Sequence, residues 1–466
     1  MTSFLVEPAS GPLHGSVVVP GDKSIGHRAL LFSLLCDQPV VVVGLGDGAD
    51  NGRSAKAITA LGAKVTRDNS ELRIVGAGLD GLQAPQAPID CGNSGTTIRL
   101  LTGLLAGQHF ESILFGDESL SKRPMKRVIT PLQAMGARIT GAGAAELSAG
   151  QAPVLGPASV ASGQGDIVPP LRVGPVSGQL RAMHHQLPIA SAQVKTALVL
   201  ASLFTDGVAS ITEPGPSRDH SERMLRYFGV PLTVDGRTTT VRTAGWSRKM
   251  NGGRIVVPGD PSSSAFLVVA ALLVGTGDGE VRCRKVMVNE TRTGFIEILR
   301  AMGAEVTIEN LDATGPEPIA DIVVRGAAAQ LRGVTIAGDL VVRAIDEIPI
   351  LAVAAAVAHG TTVIKDADEL RVKESDRITA TCNMLRSFGV VCDEFADGFA
   401  VHGVGGRLPK AGHVDAVGDH RIAMAGVVAA LCAPTTSRID DVDNVATSYP
   451  GFVAAINGLG ASVGHG

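Results

Sequence analysis

Six times along this chain, an apolar helix-like stretch ends at a glycine that opens into β-prone or apolar residues. The six segments read ALGAKV, AMGARI, RYFGVPLTV, AMGAEV, LRSFGVVC and GLGASV, and their glycines are Gly62, Gly136, Gly229, Gly303, Gly389 and Gly460. A glycine just after a helix adopts the left-handed conformation that ends the helix without a Cβ penalty. Helix ends that recur every roughly 70 to 90 residues predict one α/β unit copied several times.

The chain has 466 residues, which is too long for one compact core, so two domains are expected. Three of the six glycines precede residue 250 and three follow it. The phrases SVVVPGDKS and RIVVPGDPS, one heading each half, each indicate a strand, a Pro-Gly turn and a capped helix. We predict two similar α/β domains, 21–253 and 1–20 plus 254–466, with crossovers near 20–23 and 248–255.

Composition and missing motifs argue against several classes of protein. A net charge of −4 disfavours nucleic acid or a membrane surface as the main partner, and no 18-residue charge-free apolar span is present. The six cysteines lack CxxC spacing, which predicts buried free thiols in a reducing cytoplasm. P-loop, HExxH, GxSxG and metal-ligand patterns are absent, so neither metal nor cofactor is expected. The Gly- and Pro-rich segment 143–170 predicts a surface loop or irregular strands.

Charged and hydroxyl side chains collect where helices are predicted to begin. The clusters are PGDKSIGHR, DCGNSGTTIRL, GDESLSKRPMKR, SAQVKTALVL, PGPSRDHSERML, AIDEIPILAV, ELRVKESDRI and GDHRIAMAG. Helix N-termini that carry cations and unpaired N–H groups bind anions. Each cluster alone is explained about as well by an ordinary capped or solvated helix start. Their recurrence favours a cleft between two domains that binds more than one anionic group.

Together with VPGDPSSSAF, these segments closely resemble the EPSP synthase (3-phosphoshikimate 1-carboxyvinyltransferase) family, in order from about residue 8 to residue 463. The resemblance implies two similar domains, each of three βαβαββ units, in an inside-out α/β barrel arrangement with the active site between the domains. It also implies an activity: transfer of the enolpyruvyl group of phosphoenolpyruvate to the 5-hydroxyl of 3-phosphoshikimate, with release of phosphate. That reaction uses no metal or redox cofactor.

The resemblance assigns roles to particular side chains. Asp346 matches the acceptor of the 5-hydroxyl proton, and Glu374 and Lys23 match the groups that exchange protons at the enolpyruvyl carbon. The positions that match 3-phosphoshikimate ligands are Lys23, Ser24, Arg28, Ser191, Ala192, Gln193, Ser217, Arg218, Asp346 and Lys373. Among them, those that match ligands of the phosphate group are Ser191, the backbone of Ala192, Ser217 and Arg218. Those that match phosphoenolpyruvate ligands are Lys23, Gly95, Arg123, Gln193, Arg377 and Arg421.

The resemblance implies small-molecule partners, which are the two substrates and the inhibitor glyphosate. It also implies a monomer. Some glyphosate-tolerant members have Ala at the position of Gly95, so the glycine here predicts that glyphosate fits beside it. Many members have Ser where this chain has Gly26, which removes one possible hydroxyl contact but leaves Lys23, Ser24 and Arg28 in place.

Two alternatives remain at this point. The related transferase that acts on UDP-N-acetylglucosamine typically begins with GAKN and carries a cysteine in its mobile loop, whereas the loop here, ESLSKRPMKR, has none. A non-catalytic phosphosugar-binding relative would have lost an acid or a base, yet Asp346, Lys373 and Glu374 are all present.

Overall fold

The computed structural model describes residues 2–142, 166–327 and 330–466, with the backbone alone for 142, 276–278 and 327. Within it the chain forms two compact units. We call Lys23–Val257 the central unit, and Met1–Asp22 with Pro258–Gly466 the terminal unit. The segment 143–170 is predicted as a loop or irregular strands, and its residues 143–165 lie outside the described residues.

The strands, in chain order, are β1 (Ser3–Val6), β2 (Gly15–Val18), β3 (Val40–Val43), β4 (Lys64–Asp68), β5 (Glu71–Val75), β6 (Ile89–Asp90), β7 (Ser112–Phe115), β8 (Arg138–Ala142), β9 (Val168–Gly174), β10 (His184–Gln186), β11 (Val208–Thr212), β12 (Leu232–Asp235), β13 (Thr238–Arg242), β14 (Gly253–Val256), β15 (Thr276–Met287), β16 (Val306–Asp312), β17 (Ile319–Ala327), β18 (Thr335–Ile336), β19 (His359–Ile364), β20 (Val391–Phe395), β21 (Gly398–Val404), β22 (His413–Asp415), β23 (Ser437–Asp440) and β24 (Val463–His465).

The α-helices, also in chain order, are α1 (Lys23–Leu34), α2 (Ala49–Ala60), α3 (Gly95–Leu105), α4 (Lys126–Ala134), α5 (Ala192–Ser202), α6 (His220–Tyr227), α7 (Pro261–Val274), α8 (Gly294–Ala301), α9 (Asp339–Ala344), α10 (Ile348–Val357), α11 (Arg377–Ser387), α12 (His420–Leu431), α13 (Val445–Ser448) and α14 (Phe452–Gly458). Short 3₁₀ turns cover Leu120–Lys122 and Asp368–Val372.

Over the described residues, the strands form six four-stranded sheets with one shared pattern. The central unit contains the sheets β14-β3-β5-β4, β6-β7-β9-β8 and β10-β11-β13-β12. The terminal unit contains β2-β15-β17-β16, β18-β19-β21-β20 and β22-β23-β1-β24. In every sheet the first two strands are parallel and the others are antiparallel. The α/β fold of two similar units, each with three βαβαββ repeats, is therefore confirmed.

The six glycine helix ends hold the backbone conformation that the sequence predicts. The φ angles are 108° at Gly62, 105° at Gly136, 84° at Gly229, 101° at Gly303, 86° at Gly389 and 111° at Gly460. A side chain at these angles would be strained, so glycine ends each helix there and lets the next strand begin.

The two Pro-Gly segments, 20–22 and 258–260, lie at the boundaries between the units and are hydrogen-bonded to each other. The backbone N–H of Asp22 donates to Pro258 O at 2.7 Å, and that of Asp260 donates to Pro20 O at 2.8 Å. The strand just before each segment pairs within its own unit. β2 pairs with β15 in the terminal unit, and β14 pairs with β3 in the central unit. The boundaries between the units fall after Asp22 and after Val257.

Helices form the interior of each unit, and strands keep one face toward solvent. In the terminal unit, α7, α10 and α12 contact one another, and nearly all their side chains are buried. In the central unit, α3 contacts α1 and α5. Small and branched aliphatic residues allow such close helix contacts, which is how a core with 3% aromatic residues packs. All six cysteines are buried free thiols, as the sequence predicts.

Candidate active site

In the terminal unit, two predicted catalytic acids lie on one guanidinium. Arg377 is the first residue of α11 and is 1% exposed. Its Nη2 lies 2.6 Å from Glu374 Oε2, and its Nη1 lies 3.4 Å from Asp346 Oδ1. The Arg377 charge therefore lies against both acids, of which Glu374 is exposed and Asp346 is mostly buried.

A third carboxylate, Asp419, fixes this guanidinium from the protein interior. It is fully buried, and its Oδ2 accepts a hydrogen bond from Arg377 Nε at 2.8 Å. Its Oδ1 accepts the backbone N–H of Arg421 at 2.9 Å and so caps α12. Burial acts to raise the pKa of Asp419, but the attraction of Arg377 outweighs it, and the pKa lies below its usual value.

Arg421 connects α12 to the segment that carries Asp346. Its Nη1 donates to the backbone carbonyl of Asp346 at 2.9 Å, and its Nη2 lies 4.0 Å from Asp346 Oδ2. The remaining predicted ligand of this segment, Lys373, points elsewhere: its Nζ lies 2.5 Å from Glu369 Oε1. The structure thus brings Asp346, Glu374, Arg377 and Arg421 together and pairs Lys373 with a different acid.

A second buried guanidinium lies beside the Asp346 segment. Arg292 is 3% exposed in its side chain, and it approaches Asp22, Asp260 and Glu347 at 3.2, 3.3 and 3.7 Å. Burial raises the pKa of Glu347, and Arg292 opposes that shift without cancelling it. This network joins both Pro-Gly segments to the residue that follows Asp346.

In the central unit, the N-terminus of α3 and the segment after it form a second group. Ser94 caps α3, with its Oγ accepting the N–H of Thr97 at 3.1 Å, and Gly95 is the first helical residue. Arg123 Nη2 donates to Asn93 Oδ1 at 2.6 Å, directly before that cap. A Cβ on Gly95 would lie 3.2 Å from Arg123 Nη1, so the guanidinium lies against the bare helix start.

Gln193 joins this group from the first turn of α5. Its Oε1 accepts a hydrogen bond from Arg99 Nη1 at 2.7 Å, and its Nε2 donates to Thr96 Oγ1 at 3.0 Å. Burial, and after it the charges of Arg127 and Arg123, lower the pKa of Arg99 to about 10, so Arg99 is cationic at neutral pH. Gly95, Arg123 and Gln193, all predicted ligands of one substrate, therefore share one neighbourhood.

Two of the predicted phosphate ligands, Ser191 and Ser217, converge on a single carboxylate. Ser191 caps α5, and Ala192 is the first residue of that helix. The N–H of Ser191 donates to Glu213 Oε1 at 2.9 Å, and the hydroxyl of Ser217 donates to Glu213 Oε2 at 2.8 Å. Arg218 follows Ser217 in the half-buried segment that leads into α6.

The first helix carries three predicted ligands in different surroundings. Lys23 is half-buried, with its Nζ 3.1 Å from Asp50 Oδ2. Ser24 is half-buried, and its carbonyl accepts from Arg28 Nη1 at 3.0 Å. Arg28 itself is 3% exposed and donates from Nε to Ser221 Oγ at 2.7 Å, so it also ties α1 to α6.

Several residues around these groups were not among the predicted site residues. Asp419, Glu213 and Arg292 hold predicted ligands or their neighbours, yet none was assigned a role. Asp419 had a signal, since it precedes an apolar helix directly before His and Arg. Glu213 had none, because no local pattern links it to Ser191, 22 residues earlier in the sequence. Across the described ranges, no group of three or more His, Cys, Asp or Glu is placed to hold a metal ion.

Known proteins match the chain along almost its whole length. The family profile of EPSP synthase (3-phosphoshikimate 1-carboxyvinyltransferase) matches residues 8–456. The chain belongs to the EPSP synthase family. A Geobacter sulfurreducens relative named 3-phosphoshikimate 1-carboxyvinyltransferase is 45% identical over 457 residues, covering 98% of this chain and 99% of the relative. A Pelobacter propionicus relative of the same name is 44% identical, with 98% of each chain covered.

Two solved structures agree with the fold described above. The EPSP synthase of Acinetobacter baumannii superposes with a TM-score of 0.87 at 38% identity, covering 100% of both chains. The enolpyruvyl transferase NikO of Streptomyces tendae has a TM-score of 0.75 at 17% identity, over 100% of this chain and 99% of that one, which is a likeness of fold. Among the described helices, none combines the length and apolarity needed to cross a bilayer.

Proposed function

We propose that this protein transfers the enolpyruvyl group of phosphoenolpyruvate to the 5-hydroxyl of 3-phosphoshikimate and releases phosphate. The observation that carries the proposal is the pairing of Asp346 and Glu374 with one buried guanidinium, Arg377. In a chain that matches the EPSP synthase family from residue 8 to residue 456, these are the acids that the reaction needs.

The proposed reaction has two proton-transfer stages. Asp346 accepts the proton of the 5-hydroxyl while the hydroxyl oxygen bonds to C2 of phosphoenolpyruvate. In the same stage, Glu374 or Lys23 protonates the methylene carbon C3. The resulting tetrahedral adduct then loses a proton from C3 and phosphate from C2, which restores the double bond. Protonation followed by deprotonation of one carbon requires a group that acts first as acid and then as base.

Two sets of ligands would hold the substrates. For 3-phosphoshikimate we propose Lys23, Ser24, Arg28, Ser191, Ala192, Gln193, Ser217, Arg218, Asp346 and Lys373. For phosphoenolpyruvate we propose Lys23, Gly95, Arg123, Gln193, Arg377 and Arg421. Arg377 contacts both acids, so a substrate carboxylate bound by it would be held beside the groups that exchange protons.

The proposal extends to conditions and inhibition. Six buried free thiols support a reducing compartment, and we propose a monomeric cytoplasmic enzyme. We also propose glyphosate as an inhibitor, since Gly95 leaves no side chain between its backbone and the guanidinium of Arg123.

Phosphate release from phosphoenolpyruvate, measured with and without 3-phosphoshikimate, tests the function. We expect phosphate release that depends on 3-phosphoshikimate and is lost in Asp346→Asn and Glu374→Gln. The control variant Asp393→Asn, which alters an exposed ion pair with His402, should retain the release. Turnover with UDP-N-acetylglucosamine instead would assign the sister reaction. Binding of 3-phosphoshikimate without any turnover would indicate a non-catalytic binder.

A further inference from the structure

One buried carboxylate in the central unit holds two proposed phosphate ligands at once. Glu213 directly follows β11, and its side chain is 4% exposed. Oε1 accepts the backbone N–H of Ser191 at 2.9 Å, and Oε2 accepts the hydroxyl of Ser217 at 2.8 Å. Two segments that are distant in the sequence are thereby fixed relative to each other by one side chain.

The charge of Glu213 is compensated inside the protein. Lys195, one turn into α5, places Nζ 2.8 Å from Glu213 Oε2 and 2.7 Å from Glu222 Oε1, with 5% of its side chain exposed. Burial acts to lower the pKa of Lys195, but the two glutamates outweigh it and the pKa is raised. Lys195 is therefore a cation, and its charge lies directly against the buried carboxylate of Glu213.

The hydrogen bonds determine what each segment can present to a ligand. Ser191 Oγ accepts the N–H of Val194 at 3.5 Å, which leaves its own hydroxyl proton to donate outward. The first-turn N–H of Ala192 has no acceptor within the helix. The backbone N–H of Ser191 is already used by Glu213, so the hydroxyl and the next amide are what this helix start offers to a phosphate.

From this arrangement we infer that Glu213 is a positioning residue for 3-phosphoshikimate, one that sets the start of α5 at Ser191 and the segment of Ser217 and Arg218 in the geometry that receives the phosphate group. The hydroxyl proton of Ser217 is used by Glu213, so this contact places the segment and does not itself supply a donor to the phosphate. The inference rests on the proposed function. Glu213 does not itself meet the phosphate, because its two oxygens are occupied by Ser191, Ser217 and Lys195. Holding the donors in place beforehand lowers the entropic cost of binding.

The same cluster supplies a matched control. Glu222 has 1% of its side chain exposed and also contacts Lys195, and its Oε1 accepts the hydroxyl of Thr239 at 3.2 Å. It contacts neither Ser191 nor Ser217. Glu213→Gln and Glu222→Gln each remove one carboxylate charge from Lys195, but only the first disturbs the two proposed phosphate ligands.

The experiment compares the full-length wild type, Glu213→Gln and Glu222→Gln in turnover and in calorimetric binding of 3-phosphoshikimate and of unphosphorylated shikimate. For Glu213→Gln we expect the Kd and KM for 3-phosphoshikimate to rise about tenfold or more, the loss typical of a broken charge-assisted hydrogen bond. The Kd for shikimate, the KM for phosphoenolpyruvate and kcat should change by less than about threefold. Glu222→Gln should keep the wild-type Kd for 3-phosphoshikimate.

A purely structural role predicts a different result. In that case both variants lower the urea midpoint of unfolding, and their Kd values for 3-phosphoshikimate change equally or not at all, which would overturn the inference. A wild type that neither binds nor turns over 3-phosphoshikimate would instead contradict the proposed function, so the two failures are distinguishable.

A second variant covers the case in which Glu213→Gln does not fold. Glu213→Asp keeps the charge beside Lys195 but withdraws the oxygens by one methylene from Ser191 and Ser217. We expect it to fold and to raise the Kd for 3-phosphoshikimate without changing that for shikimate. In a Ser217→Ala background the further effect of Glu213→Asp should shrink, because the two residues act through one contact. Full additivity there, or a wild-type Kd for Glu213→Asp alone, would contradict the inference.

Discussion

The two units hold their proposed ligands in different ways. In the terminal unit, charged groups contact each other directly: Arg377 touches Asp346, Glu374 and Asp419. In the central unit, the proposed phosphate ligands Ser191 and Ser217, which carry no charge, are held by a charged cluster centred on Glu213. Opposite charges in contact are suited to proton exchange, because a change at one group alters the pKa of the next. Fixed N–H and O–H donors are suited to binding, because their charge does not change with pH.

The largest effect should separate chemistry from binding. Asp346→Asn or Glu374→Gln should lower kcat by about 10²–10⁴-fold, since each removes a proposed proton-transfer group. Ser191→Ala, in the central unit, should chiefly raise the KM for 3-phosphoshikimate. Steady-state phosphate release over a range of both substrates measures these changes. If Ser191→Ala lowered kcat as much as the acid variants, the division between the units would be wrong.

The next effect concerns the buried partner of Arg377. Asp419→Asn leaves a 1%-exposed guanidinium without its interior carboxylate, so the free energy of unfolding should fall by about 3–5 kcal/mol. Asp393→Asn breaks an exposed pair with His402 and should cost less than about 1 kcal/mol. Urea denaturation of both variants provides the measurement. Equal losses would mean that Asp419 is less important to this network than its burial indicates.

A packing change in the central unit should be smaller. A Cβ on Gly26 would lie 2.5 Å from Asn51 Nδ2 and 2.8 Å from Leu45 Cδ1, so Gly26→Ser should cost about 1–3 kcal/mol of stability. Gly52→Ala on the neighbouring helix meets nothing within 4 Å and should stabilise by about 0.4–1 kcal/mol. Thermal unfolding distinguishes the two. Unchanged stability in Gly26→Ser would show that Asn51 has room to move.

Inhibition by glyphosate should depend on the bare start of α3. A methyl on Gly95 would lie 2.8 Å from Arg99 Nη1 and 3.2 Å from Arg123 Nη1, both at the ends of flexible side chains. We expect Gly95→Ala to weaken glyphosate inhibition about tenfold, equivalent to about 1.4 kcal/mol. Inhibition constants measured against phosphoenolpyruvate test this, and equal constants for variant and parent would count against it.

Two acids of the terminal unit should respond to pH in opposite directions. The pKa of Asp419 is lowered from 3.8, so its stabilising contribution is present above that pH and is lost as the pH falls through the lowered value. The pKa of Glu347 is raised from 4.5, so its contribution is complete below that pH and is lost as the pH rises through the raised value.

Urea unfolding of two variants across this pH range checks the signs. Relative to the wild type at the same pH, Asp419→Asn should lower the free energy of unfolding more at neutral pH than in acid. Glu347→Gln should lower it less at neutral pH than in acid. Parallel pH profiles for the two variants would show that the acids are too strongly coupled to be treated separately.

Local signals in the sequence predicted much of the fold. The glycine at each helix end fixes a left-handed φ at one residue, so six helix-to-strand transitions could be located without tertiary information. The pairing of β1 with β23 could not, because it joins Ser3 to Asp440 and no local pattern encodes such a contact.

The candidate site was partly predictable for the same reason. Residues at helix starts, such as Ser191 and Gly95, follow from capping patterns and from the family resemblance. Glu213 and Arg292 act across long sequence separations and lie in segments with no periodic pattern, so only the folded chain reveals them. Arg377 was predicted as a substrate ligand, and its contacts with three carboxylates add a role that spacing alone did not indicate.

The pairing of β1 with β23 and β24 has a consequence for how the chain folds as it is synthesised. The central unit, Lys23–Val257, has all its strands once residue 257 has left the ribosome, so it can fold while the rest is being made. The last sheet of the terminal unit must wait, because Phe4 pairs with His465. We expect protease protection of ribosome-bound chains to appear first over the central unit and only after release over β1. The earliest strand to be made would then be among the last to find its partners, a long-range contact of the kind that slows folding.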